Sequence, residues 1–130
     1  SHRVSWRNVV AGQRVPMELT SLGRAWLSTA SVEVQRELFR VFKQRRPTTW
    51  RSLQQEIEAA IESVAAHGYC WASWQPQVVA LSTPLVIQNQ SVYVLNMSVT
   101  DDGEPNEVVA RLQEPLLNLA KRLRQSIGEL

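Results

Sequence analysis

Apolar side chains recur along this chain with two different periods, and the changes between them mark its elements. Arg3-Val4-Ser5-Trp6-Arg7 alternates polar and apolar positions and predicts a half-buried strand. Gly12-Gln13-Arg14-Val15-Pro16 breaks it, since Pro16 disfavours a helical Val15. Thr20 or Ser21 can then cap a short helix through Arg24, Ala25, Trp26 and Leu27. Ser31 caps a second helix, with Glu33 in its first turn and Lys43, Arg45 and Arg46 at its end, as the helix dipole favours. Pro47 stops it. The clearest helix runs from Ser52 to His67, where Leu53, Ile57, Ala60, Ile61 and Val64 form one apolar stripe and Gly68 suits the C-terminal cap.

Three strands follow, over Tyr69 to Trp74, Gln77 to Ile87 and Val92 to Thr100. Gln88-Asn89-Gln90-Ser91 reads as a hairpin turn and the segment from Asp101 to Pro105 as a loop. A last helix puts Val109, Leu112, Leu116, Ala120, Leu123 and Ile127 on one face, with Pro115 kinking it or opening its main part. The order is strand, three helices, three strands, helix. That order predicts an α+β domain, an antiparallel sheet covered by helices.

Composition narrows the function classes. The 130 residues fit one domain, and 44% apolar with 20% charged side chains excludes disorder. A net charge of +2 is too small to predict nucleic-acid binding. One cysteine and two histidines offer neither a disulfide framework nor a metal cage, and no cofactor is expected. Apolar runs stop at about four residues, against the ~20 of a spanning helix. Ser1-His2-Arg3-Val4 resembles no signal or transit peptide. A cytoplasmic location and no membrane partner are the expectations.

No catalytic constellation emerges. Cys70 reads as a half-buried strand cysteine, because a nucleophile needs a base and a positive setting. Glu56, Glu58 and Glu62 fall on the solvated face opposite Ile57 and Ile61. Lys43-Gln44-Arg45-Arg46 with Trp50-Arg51 reads as a helix end rather than a nucleic-acid patch. Trp26 and Trp50 read as packing residues, while Trp6, Trp71 and Trp74 on strands are open to other roles.

The run from Gly12 to Leu27, with Gly12, Pro16, Thr20-Ser21 and then Gly23-Arg24-Ala25-Trp26-Leu27, resembles the effector-binding domain of IclR-type transcriptional regulators. The likeness continues in order through the Leu53 to Gly68-Tyr69 segment, the small-residue strand before Pro84, and Leu95-Asn96-Met97-Ser98 with its terminal helix. The chain departs from the family pattern in three places. Ala80 stands where the family has a cysteine, Ala72-Ser73-Trp74 where it has acidic residues, and Arg24 where it has lysine. The likeness is nearest to the activators that respond to hydroxyphenylpropionate-type aromatic acids.

The resemblance implies a GAF-like curved antiparallel sheet with helices on one face and a concave, ligand-holding face opposite. Residues 1–130 would then be an N-terminally truncated effector domain, without the winged helix-turn-helix. It implies a small-molecule carboxylate effector, aromatic by preference, a homodimer or homotetramer, and DNA contact only through the missing domain. The expected site comprises Val4, Trp6, Ser21, Leu22, Ala72, Ala80, Ser82, Asn96 and Ser98. Ser21 and Leu22 offer helix-start N–H groups to the carboxylate. Ala72, Ala80 and Ser82 leave volume, with Val4 and Trp6 as an apolar wall. Asn96 supplies the main polar contact, with Ser98 fixing its amide. Two other classes compete: a small-molecule enzyme using Cys70 or a carboxylate, and an oligomerisation module with a vestigial pocket.

Overall fold

The computed structural model describes residues 3–5, 16–86, 92–100 and 103–128. Within them, capping residues set where the helices begin and end. Thr20 opens α1 (Ser21–Thr29) by accepting the Gly23 N–H on its side-chain oxygen at 3.1 Å. Ser31 does the same for Val34 at the start of α2 (Val32–Arg45). Gly68 closes α3 (Trp50–His67) in the left-handed conformation at φ 88°, which a side chain would strain. The last helix, α4 (Pro105–Gly128), runs on through Pro115 without interruption.

Four strands complete the described residues: β1 (Arg3–Ser5), β2 (Cys70–Gln75), β3 (Val78–Leu85) and β4 (Tyr93–Thr100). They form one antiparallel sheet in the order β1-β4-β3-β2. The element order and the α+β class are those the periodicity predicts. Pro76 and Gln77 make a tight turn between β2 and β3, with Gln77 at φ 62°. The expected turn at residues 88–91 lies outside the described residues.

Period-two alternation gives the sheet two different faces. Val79, Leu81, Met97 and Val99 pack with Tyr69 against Val108, Val109, Leu112 and Leu116 of α4. On the opposite face, Cys70 packs with Ala25 of α1 and Ala60 of α3. The expectation placed helices over one face. Here α4 covers one face and α1 crosses the other, because the second face is lined by side chains small enough for a helix to approach. A third cluster joins α1, α2 and α3 through Leu27, Phe42, Trp50, Leu53 and Ile57, with Trp26 packed against it. Trp50 meets Phe39 edge-on at 5.6 Å, so both tryptophans pack as expected.

Polar groups tie the start of α1 to its surroundings. The Glu18 side chain is 0% exposed and accepts from Arg45 Nη1 at 3.3 Å and Arg46 Nε at 3.1 Å. The basic end of α2 therefore does more than complete a dipole: it neutralises a buried acid. Burial alone would raise the Glu18 pKa. Its own backbone N–H, Arg46 and Arg45 together outweigh that and hold it below the ordinary 4.5.

Two predictions follow from this packing. A Cβ on Gly23 would lie 2.3 Å from the Met17 carbonyl oxygen and 2.4 Å from Met17 Cα, both backbone atoms that cannot swing aside. Gly23→Ala is expected to cost about 3 kcal/mol, near the top of the overpacking range, read from the urea midpoint. Glu18→Gln is expected to cost about 1–3 kcal/mol at neutral pH, the lower part of the buried-pair range, since Arg45 and Arg46 are largely solvated. Because the folded pKa is depressed, the ion pair's contribution is present above pH ~4.5 and fades as pH falls through the folded value. The stability gap between wild type and Glu18→Gln should therefore shrink on acidification.

Candidate functional site

The α1-facing side of the sheet carries two rows of short side chains. Ladder register sets Cys70 opposite Ser82 and Ser82 opposite Asn96 in one row, and Ala72, Ala80 and Ser98 in the next. Ser21, in the first turn of α1, reaches the first row. Its hydroxyl lies 2.9 Å from that of Ser82, and Ser82 donates to Asn96 Oδ1 at 2.6 Å. The alternative contact from Ser21 to Asn96 Oδ1 is 3.5 Å, too long to compete. The protons therefore run from Ser21 to Ser82 to Asn96, each bond polarising the next. Both N–H groups of the half-buried Asn96 amide are left without an acceptor among the described residues.

Of the nine expected site residues, Ser21, Ser82 and Asn96 are bonded together, and Ala72, Ala80 and Ser98 flank them. Leu22 is half-buried at the start of α1, where neither its N–H nor that of Ser21 has an acceptor among the described residues. Two expectations are corrected. Ser82, not Ser98, fixes the Asn96 amide, because it lies directly across the ladder while Ser98 stands opposite Ala80. Val4 is in register with Val99, a member of the α4-side core, and Ser5 rather than Val4 is in register with Ser98. Trp6 lies outside the described residues.

A separate cleft of about 640 Å³ opens beside α3 and β2, lined by Arg24, Glu56, Ser63, Cys70, Trp71 and Ala72 among others. It shares only Ala72 with the expected residues. Arg24 is buried at 7% exposure, donating from Nε to the Glu18 carbonyl at 3.0 Å and from Nη2 to Glu56 at 3.3 Å. Glu56, placed by the helical stripe on the solvated face, is thus the charge partner of a buried arginine. Sequence reasoning missed Glu18, Arg24 and Glu56 as a group. The available signal was a basic residue set between Gly23 and Ala25, two small residues that bring a helix close to its neighbours.

Cys70 is buried, and its thiol donates to the Ser21 carbonyl at 3.4 Å. Burial pushes its pKa up to about 12, which the positive charge of Arg24 offsets only in part. Such a thiol supplies essentially no nucleophile near neutral pH. His67, in the last turn of α3, packs its ring near Tyr69 at 6.3 Å.

No family model and no curated protein matches the chain. Solved structures do. An IclR family transcriptional regulator from Brucella abortus is similar with a TM-score of 0.72 and 22% identity, over 86% of this chain and 43% of that one. A transcriptional regulator from Rhodococcus sp. RHA1 gives 0.71 and 18%, over 95% and 51%. The inducer-binding domain of the PobR transcription factor from Acinetobacter, a double mutant in complex with 3-hydroxybenzoic acid, gives 0.63 and 21%, over 87% and 69%. The chain spans about half the length of the first two. At these identities the shared property is the fold, and its α+β class with an antiparallel sheet is what the resemblance implied.

The thiol chemistry is directly testable. Iodoacetamide should modify native Cys70 far more slowly than a free thiol, with a rate that is still climbing at pH 9, where that of a free cysteine of pKa ~8.5 levels off. Rapid labelling at neutral pH would reinstate the enzyme reading.

Proposed function

We propose that this chain is the ligand-sensing domain of an IclR-type transcription regulator. It binds a small aromatic carboxylate between α1 and the sheet, and occupancy modulates DNA binding by the full-length protein. The observation that carries this reading is the Ser21–Ser82–Asn96 chain, which ends on an amide with two donors to spare. Both donors suit a carboxylate or phenolic oxygen, and a hydrogen bond to a charged group contributes about 1.5–3 kcal/mol. The helix-start N–H groups of Ser21 and Leu22 supply further positive potential nearby. Ala72, Ala80 and Ser98 are the short side chains proposed to face the ring, and the PobR domain of similar fold is described with a hydroxybenzoic acid. The high thiol pKa of Cys70 supports sensing over catalysis. Assembly into dimers or tetramers belongs to the same proposal. No described helix is long and apolar enough to cross a membrane.

A thermal-shift panel of hydroxybenzoic, hydroxyphenylpropionic and short aliphatic acids tests the reading. An aromatic acid at one hundred times its Kd should stabilise by about 2.7 kcal/mol, a rise of about 10 °C for a chain of this size. Asn96→Asp keeps the acceptor for Ser82 while replacing both donors with negative charge. It is expected to abolish the shift given by aromatic acids with a loss of only about 1 kcal/mol in unliganded stability. Equal shifts for an acid and its neutral amide would remove the carboxylate role.

A further inference from the structure

The cleft beside α3 and β2 holds two opposite charges that face it unequally. The Arg24 side chain is 8% exposed and that of Glu56 60%, so the positive charge lies deep and the negative charge at the rim. Their single contact, Nη2 to Oε2, is 3.3 Å. Arg24 spends its Nε on the Glu18 carbonyl, and Nη1 has no acceptor among the described residues. Nη1 is also not sealed from solvent, since Glu18 Oε1 is the one fully buried side-chain polar atom there without a partner. A guanidinium presents paired N–H donors matched to a carboxylate, and here one edge of that fork is open. Burial lowers the Arg24 pKa, and the charge and hydrogen bond of Glu56 restore only part of it.

A simple anion does not suit the site, because Glu56 stands at its rim and repels it. A simple cation meets Arg24. A ligand carrying both charges on neighbouring atoms satisfies the pair together, and an α-amino acid head group is small enough to touch both sides of a 3.3 Å ion pair. Apart from the hydroxyls of Ser63 and Ser73, the remaining lining is mostly apolar, with Leu19, Ala59, Ala60, Trp71 and Ala72. Those walls suit an apolar side chain.

We propose that the Arg24–Glu56 cleft binds a free α-amino acid with an apolar side chain, its carboxylate on the Arg24 guanidinium and its ammonium on the Glu56 carboxylate. The site is distinct from the Asn96 pocket, though Ala72 lies beside both. It gives the domain a second input of different chemistry.

The test is a thermal-shift panel of the free apolar L-amino acids on the wild-type chain, followed by calorimetric titration. At least one, with phenylalanine and leucine as the leading probes, is expected to bind. Its N-acetyl derivative and its decarboxylated amine should each bind at least tenfold more weakly. Glu56→Gln alters an exposed side chain and should weaken amino-acid binding at least tenfold while removing the preference over the N-acetyl form. Arg24→Lys keeps the buried charge but not the fork, and should weaken carboxylate-bearing probes without unfolding the domain. Asn96→Asp should leave amino-acid binding intact while abolishing binding of aromatic acids. No binding by any member of the panel, unchanged affinity in Glu56→Gln, or loss of amino-acid binding in Asn96→Asp would each overturn the proposal. Failure of aromatic acids alone would overturn only the sensing reading of the Asn96 pocket.

Discussion

At Gly23 the first turn of α1 touches the backbone of Met17 so closely that a methyl group has no place. That contact folds the segment before α1 back onto the helix itself. Two other features of the fold rest on it. Thr20 lies where its side chain can cap the helix, and Ser21 lies where its hydroxyl meets Ser82 across to the sheet. A bulkier residue would push the segment away and separate both. The sheet reciprocates with short side chains at Cys70, Ala72 and Ser82, matched by Ala25 and Ala60 on the helices. Close approach here buries little apolar area per residue. The larger hydrophobic contribution comes instead from the α4 face and from the Leu27–Phe42–Trp50–Ile57 cluster.

Close packing of small residues also leaves polar groups that water cannot reach, and each needs a partner. An unsatisfied buried group costs about 1–3 kcal/mol, so the hydroxyls of Ser21 and Ser82 are committed to one another and to Asn96. Glu18 meets the same requirement at its carbonyl and at one carboxylate oxygen, while Oε1 is without a partner among the described residues. Its carbonyl takes the Arg24 Nε proton and its carboxylate takes Arg45 and Arg46. One residue thereby joins the turn before α1, the helix itself and the end of α2.

Much of this was legible in the sequence because it is local. The period of 3.6 over Leu53 to Val64, the caps at Thr20 and Ser31, the stop at Gly68 and the alternation over Tyr93 to Thr100 all report on neighbours a few positions away, and all appear in the structure. The small-residue rows of β2, β3 and β4 followed from alternation in the same way. Contacts between distant segments were not legible. Glu18 and Arg45 are 27 residues apart, and Arg24 and Glu56 are 32 apart. Periodicity placed Glu56 on a solvated face and Arg45 at a dipole-matched helix end, which is correct for each helix and silent about Arg24 and Glu18. The identity of the residue holding Asn96 failed for a related reason. Spacing of two along one strand pairs Asn96 with Ser98 on a face, yet hydrogen bonds in a sheet face run across strands, and the register that selects Ser82 belongs to the pairing of β3 with β4.

The position of Ser21 gives the proposed pocket its mechanical meaning. Its hydroxyl begins the chain that ends on Asn96, and its carbonyl accepts the Cys70 thiol, so α1 is held to β2, β3 and β4 through this one residue. A ligand that draws on the Asn96 amide polarises the same bonds that seat α1. From α1, the load passes through Glu18 to Arg45 and Arg46. That path ends on α2, which has only Phe42 fully buried and leaves Val32 and Val34 exposed. Among the described helices α2 has the least packing against the sheet, and a helix with few buried contacts moves at the lowest cost in free energy. Coupling of this kind requires differential contacts at both ends rather than proximity alone. The bonds from Asn96 to Ser21 and from Glu18 to Arg45 and Arg46 are where those differences would have to arise.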